Sequence, residues 1–206
     1  RKLILRRRYW LYYALTFMAG ARRQIFTVFA GFLMVEKFGY DVGTITILYL
    51  LNHAVNMVLA PQIGRLIGKW GERKALIFEY CGLFIVFTSY AFVQNAHLAA
   101  GLYVIDHLFF AMAIAMKTYF QKIADPRDIS STAGVSFTIN HIAAVFLPAA
   151  FGLLWLVSPS AVFLTGAVLA LGSLILSLNV PNDPRPGNEV VFGSTRDVGA
   201  VGQAVR

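Results

Sequence analysis

Six long apolar stretches separated by short polar breaks dominate the chain: Tyr9 to Val35, Val42 to Ile67, Lys74 to Gln94, Leu98 to Phe120, Ser131 to Val157 and Ser160 to Val180. A helix needs roughly 20 residues to cross a hydrocarbon core about 30 Å thick, and each stretch is long enough. The breaks fall at Gly39, the Gly68 to Gly71 turn, Asn95, Asp125-Pro126 and Ser158-Pro159-Ser160, where turn-forming residues gather. None of the stretches alternates as a barrel strand would, so helices are left as the way to satisfy their backbone groups in lipid. The pattern predicts an all-α membrane protein: a basic segment over 1–8, a six-helix transmembrane domain over 9–180 and a disordered tail over 181–206, where Pro181, Pro184 and Pro186 forbid a continuing helix.

Composition narrows the class. With 58% hydrophobic and 14% charged residues in 206, the chain is too apolar for a water-soluble domain. One cysteine cannot form an internal disulfide, and it and the four histidines show no zinc spacing, so neither a metal nor a cofactor is expected. The net charge of +8 is sorted rather than spread. Five lysines or arginines precede the first span, four lie in the second-to-third loop, three in the fourth-to-fifth connection and three in the tail; the alternate loops hold only Lys37. Fifteen against one places both termini in the cytoplasm of an integral protein of the cell (inner) membrane, and it removes nucleic acid as a partner. The first stretch is too long for a signal peptide and contains Arg22-Arg23, so it is expected to stay.

Polar residues at mid-span are costly in lipid, about 2.5 to 3.5 kcal/mol for a central charge on insertion scales. They concentrate in four spans: Arg22, Arg23 and Gln24 in the first, Asn52, His53 and Asn56 in the second, Asp106 and His107 in the fourth, Ser136, Asn140 and His141 in the fifth. The third and sixth carry no charge near their middle, Glu79 lying about one turn inside the third, where it could reach the basic loop. The first, second, fourth and fifth spans are thus expected to face water, and the third and sixth to support them against lipid. Thr16, Gly20, Arg23, Thr27 and Gly31 share one helical stripe, which would bring Arg23 or Arg22 near Asp106 as a structural ion pair or a binding pair. Asn52-His53 recurs as Asn140-His141, 88 positions on, and Arg23 and Asp106 are 83 apart. Such offsets suit two inverted three-helix repeats.

The second-to-third loop runs from Pro61 to Leu76 through Gly64, Arg65, Gly68, Lys69, Gly71, Glu72, Arg73 and Lys74. It resembles the cytoplasmic signature of the major facilitator superfamily, which Gly64, Lys69, Gly71 and Arg73 match; Gly68 stands where the family prefers Asp and Glu72 where it prefers a basic residue. In that family each six-helix half is built of two inverted three-helix repeats, its first, second, fourth and fifth helices lining the path. The resemblance implies half of a twelve-helix transporter. Since the chain opens at Arg1, the expectation is the C-terminal half, with an N-terminal six-helix half as partner beside the bilayer and a small-molecule substrate.

The function expected is secondary active transport, as a symporter or antiporter working by alternating access. Its substrate cavity would be lined by Arg22, Arg23, Gln24, Asn52, Asn56, Asp106, His107, Asn140 and His141. Two central arginines against one central acid favour an anion, and Asp106 and His107 are candidates for proton coupling. The alternatives are a six-helix membrane enzyme and a dimeric pore or scaffold. No catalytic residue is assigned, because Gly134-Val135-Ser136-Phe137 lacks the second glycine of a nucleophile elbow and no H-E-x-x-H occurs. Pro148, with Gly152 one turn on, is a candidate kink in the fifth span.

Overall fold

The computed structural model describes residues 5–193, and every long element in it is a helix. The first segment is helical from Trp10 to Phe38: α1 (Trp10–Gln24), a π-helical stretch (Ile25–Ala30) and α2 (Gly31–Phe38). There follow α3 (Val42–Trp70), α4 (Glu72–Phe92), α5 (Ala96–Ala111), α6 (Ile114–Ile123), α7 (Pro126–Val157) and α8 (Pro159–Ser177). Five are long and apolar enough to cross a membrane: α3, α4, α5 taken with α6, α7 and α8.

Local chemistry explains the ends. Asp41 accepts from the Thr44 amide at 3.0 Å to start α3, and Asn95 accepts from His97 and Leu98 amides at 2.8 and 3.2 Å to start α5. Asp125 and Ser158 cap α7 and α8, each followed by a proline at the first helical position, where a missing N–H costs nothing. Gly71, at φ 82°, ends α3 and opens α4. The expected turn over Gly68 to Gly71 thus contracts to Gly71 alone, and Gly68 remains helical. The fourth span divides at Met112–Ala113, where the Met112 and Ala113 amides reach back to Phe109 and Phe110 carbonyls at 2.9 and 3.1 Å. Helix α7 continues through Pro148 without interruption.

Packing sorts the helices into a rear layer and a front. Helices α4 and α8 lie against each other at the rear; α1 packs on α7 and α8, and α3 on α5, with α5 and α6 resting on α4. The rear is tight. A Cβ added at Gly166 of α8 would sit 2.9 Å from Phe87 and 3.1 Å from Ile25, and one at Gly82 of α4 would fall 2.1 Å from the Phe109 ring. Tyr90 stacks on Phe163 at 5.1 Å between the same two helices.

Both ends of the bundle are tied. At the basic end Asp128, in the first turn of α7, accepts from Arg6 (3.0 Å), Arg8 (2.6 Å) and the Tyr9 hydroxyl (3.1 Å), and Lys122 pairs with buried Glu72 at 2.7 Å. Burial pushes the Asp128 carboxyl up, but hydrogen bonds from Arg8, Arg6 and Tyr9 outweigh it and hold it below its usual range. At the other end the Trp155 indole donates to Glu36 at 2.9 Å, and Lys37 donates to the Val93 carbonyl at 2.6 Å.

The first residues of the expected disordered tail are placed rather than free. The Tyr119 hydroxyl donates to the Glu189 carbonyl at 2.5 Å, the Val191 amide to the Asn179 carbonyl at 2.9 Å, and Val190 is buried. Prolines forbid a helix there but not a turn that docks. The outer parts of the expected basic segment and tail, 1–4 and 194–206, lie outside the described residues.

Candidate functional site

Arg22 and Arg23 are neighbours in sequence and turn to opposite sides. Successive helical residues differ by about 100° in direction, so at most one of them can follow a given face. Arg22 is fully buried: its Nη1 donates to the Leu169 carbonyl at 3.3 Å and to the Ser173 hydroxyl, both on α8, and its guanidinium lies 4.8 Å from the centre of the Tyr80 ring on α4. Its charge acts on Glu79 of α4 and Asp106 of α5, both buried. Neither carboxylate comes within 4.0 Å of a described cation, and both oxygens of Asp106 make no hydrogen bond among the described residues. One guanidinium and two carboxyls thus form an interior layer at the meeting of α1, α4, α5 and α8.

This changes the part assigned to the third span. Glu79, expected about one turn in and within reach of the loop, is seven residues from the start of α4, roughly two turns at 3.6 residues each, and is buried with Arg22 rather than directed to the basic end. The third and sixth spans are not plain apolar supports, since Glu79, Tyr80 and Ser173 enclose Arg22.

Arg23 is exposed, and its charge reaches His107 on α5. His107 is half-buried, its ring 5.1 Å from that of His53 on α3 and set edge to face; Tyr49, one turn earlier on α3, lies 4.4 Å from His53. Asn56 is half-buried on the same α3 stripe as Tyr49 and His53. Asn52 is buried, its Nδ2 directed to the Tyr103 carbonyl of α5 at 3.4 Å, so it bridges α3 to α5. On the other flank a Cβ at Gly20 of α1 would meet the Asn140 side chain of α7 at 2.8 Å. Asn140 is exposed and donates to the Ser136 carbonyl at 3.0 Å; Gln24 is half-buried. His141 is exposed but turns back on its own helix, with Nδ1 2.9 Å from the Phe137 carbonyl oxygen and its ring 3.8 Å from that of Phe137.

A polar front therefore runs from Asn140 on α7, past Gly20 and Arg23 on α1, to His107 on α5 and His53 on α3. The structure brings Arg23, His107 and Asn140 onto it and leaves Arg22 and Asp106 behind it. His53 is the residue missing from the expected lining; the i, i+4 spacing of Tyr49 and His53 and the i, i+3 spacing of His53 and Asn56 are the signals that could have included it. The signature residues sit at the basic end: Lys69 exposed, Gly64 and Arg73 half-buried, Gly71 at the turn. Glu72, at a position where the family prefers a cation, joins Lys122 across to the end of α6.

No curated protein and no solved structure matches the chain. The model of the Major Facilitator Superfamily matches residues 12–200, nearly the whole of it. With five helices apolar and long enough to span a bilayer and a family match of that extent, the chain belongs to the major facilitator superfamily of membrane transporters.

Proposed function

We propose that this chain forms the C-terminal six-helix half of a secondary active transporter, moving a small, anionic solute by alternating access against an N-terminal half. The observation that carries this reading is the front itself, a continuous polar face drawn from α1, α3, α5 and α7. Polar side chains across four helices facing lipid would be costly, and a second six-helix unit would cover them. The helix from Trp10 to Phe38 serves as the first of six spans in this reading, with Arg22 enclosed in the interior layer and Arg23 on the front.

The helix contacts support the two inverted repeats. Exchanging spans one, two and three for four, five and six turns the α1–α7 contact into α5–α3, α1–α8 into α5–α4, and α7–α8 into α3–α4, while α4–α8 maps onto itself; all of these occur. Both termini lie on the cytoplasmic side in this arrangement, by the distribution of lysine and arginine.

Solute counterflow by the full-length protein reconstituted in liposomes tests the proposal. Arg23→Ala is expected to reduce uptake at least tenfold with an unchanged melting temperature. Wild-type uptake in that variant would remove the front as the binding surface, and leakage that does not saturate would replace the carrier with a pore.

A further inference from the structure

At the basic end of the bundle, well away from the polar front, we infer that Leu5, Arg6, Arg7, Trp10, Tyr13 and Gly193 form a headgroup site for an anionic phospholipid. These residues line a cavity of about 330 Å³. It lies where the N-terminal segment enters α1, and Gly193, the last described residue of the C-terminal segment, contributes to its wall.

Three consecutive arginines reach this point, and the protein spends two of them on itself. Asp128 accepts from Arg6 at 3.1 and 3.0 Å and from Arg8 at 2.6 Å, and the Arg8 guanidinium lies 4.7 Å from the centre of the Tyr9 ring. Arg7 has no such use. It is exposed, and no carboxylate comes within 4.0 Å of it among the described residues. The other acids of this end are held: Glu72 by Lys122, Asp125 by the amide it caps, Asp183 beside Arg185 and Glu189 on the Gly187 amide. The first turn of α1 carries no acid either, so the positive end of that helix and the Arg7 charge reinforce each other.

Charge alone would suit any phosphate, and the rest of the wall selects a lipid. Leu5 and Trp10 bring apolar surface beside the guanidinium, and Phe192, next to Gly193, is 74% exposed. Exposed apolar side chains and an indole next to arginines at the head of a spanning helix match the headgroup level of a bilayer. Tyr13 lines the cavity and is 8% exposed, and its hydroxyl has no hydrogen-bond partner among the described residues. A headgroup oxygen is the acceptor it lacks. The phosphodiester takes the paired N–H groups of Arg7, and the glycerol backbone rests on Trp10 and Leu5. A lipid so held is shared by the N-terminal segment and the C-terminal one, and it stabilises the folded protein as any ligand of the native state does.

The test titrates the full-length protein in neutral detergent with phosphatidylglycerol, with phosphatidylcholine of the same chains and with glycerol 3-phosphate, counting bound molecules by native mass spectrometry. The first phosphatidylglycerol should bind about tenfold more tightly than the first phosphatidylcholine. Glycerol 3-phosphate should not displace it. Arg7→Gln should cut that preference about fivefold or more while melting as wild type without lipid, and Arg7→Lys, which keeps the charge, should retain part of it. Arg65→Gln, which removes an exposed cation from α3 near the same end, should leave it unchanged. Equal affinity for the two lipids, a preference kept in full by Arg7→Gln, or one lost equally in Arg65→Gln would overturn the inference. Displacement by glycerol 3-phosphate would overturn it too, by giving the site to a soluble phosphate ester. The measurement needs no transport: a protein without the lipid preference can still be a carrier, and one that shows the preference without counterflow keeps this site.

Discussion

Arg22 and Arg23 differ by one position and by everything that decides a charge's role. Arg22 is enclosed by α4 and α8, with an aromatic face, a hydroxyl and a carbonyl around it and two buried carboxyl groups within reach of its charge. Arg23 stands at the front beside an imidazole pair and is exposed. The first arrangement holds helices together, because Arg22 of α1 bonds two groups of α8 and lies against Tyr80 of α4. The second leaves positive charge available, which suits binding and release. Identical residue types in one helical turn thus separate an enclosed charge from an exposed one, and the rest of the bundle follows the same division: a close-packed rear and an open front.

Arg22→Ala should break the comparison most severely. Removing a fully buried side chain that bonds Leu169 and Ser173 and lies on Tyr80 is expected to cost about 2–5 kcal/mol, read as a lower melting temperature and poor recovery of the full-length protein, whereas Arg23→Ala melts as wild type. Adding Asp106→Asn to Arg22→Ala should recover about 0.5–3 kcal/mol, the coupling expected of groups in one network. Strictly additive losses in that double-mutant cycle would mean that the two residues act independently.

Smaller changes probe the packing contrast. Gly166→Ala drives a methyl into Phe87 and Ile25 and should cost about 1–3 kcal/mol, while Gly152→Ala on α7, with nothing within 4 Å, should be neutral or stabilising by up to about 1 kcal/mol. Thermal melts of the two variants compare rear with front directly. The mildest effect concerns Asp128. Because its carboxyl is held below the usual range, its contribution to stability is present above the ordinary carboxylate pKa and is lost as pH falls through the lowered one. Asp128→Asn should therefore narrow the stability gap to wild type as pH drops from about 5 toward 3, and a gap constant over that window would show that the clasp adds nothing.

Much of the fold could be read from hydrophobic run length and from caps, since Asp41, Asn95, Asp125 and Ser158 carry their instructions locally. The break at Met112–Ala113 carries no proline, glycine or capping residue to announce it. The direction of Arg22 was equally hidden: helical phase separates it from Arg23, but only the packing of α4 on α8 decides which of the two faces is interior. Glu79 lies deeper than the apolar run from Lys74 implies, because α4 begins at Glu72 and the Lys122–Glu72 pair holds that end inward. His53 has its ring partner, His107, 54 positions away on another helix, a pairing that no local spacing signals.

The π-helical stretch Ile25–Ala30 has a consequence for how this rod tolerates change in length. Its hydrogen bonds reach one residue further than in the turns around it, so it stores the equivalent of an extra residue. Deleting a single position there would let the ordinary repeat run through while the turns on either side kept nearly their present facing, whereas the same deletion in an ordinary turn would swing everything beyond it by about 100°. Glu36 and Lys37 would then still face Trp155 and Val93, and Tyr9 through Gln24 would keep their neighbours. The two parts of this helix are joined by a slack turn, and the loss of one residue inside it is taken up locally, with both anchorages kept.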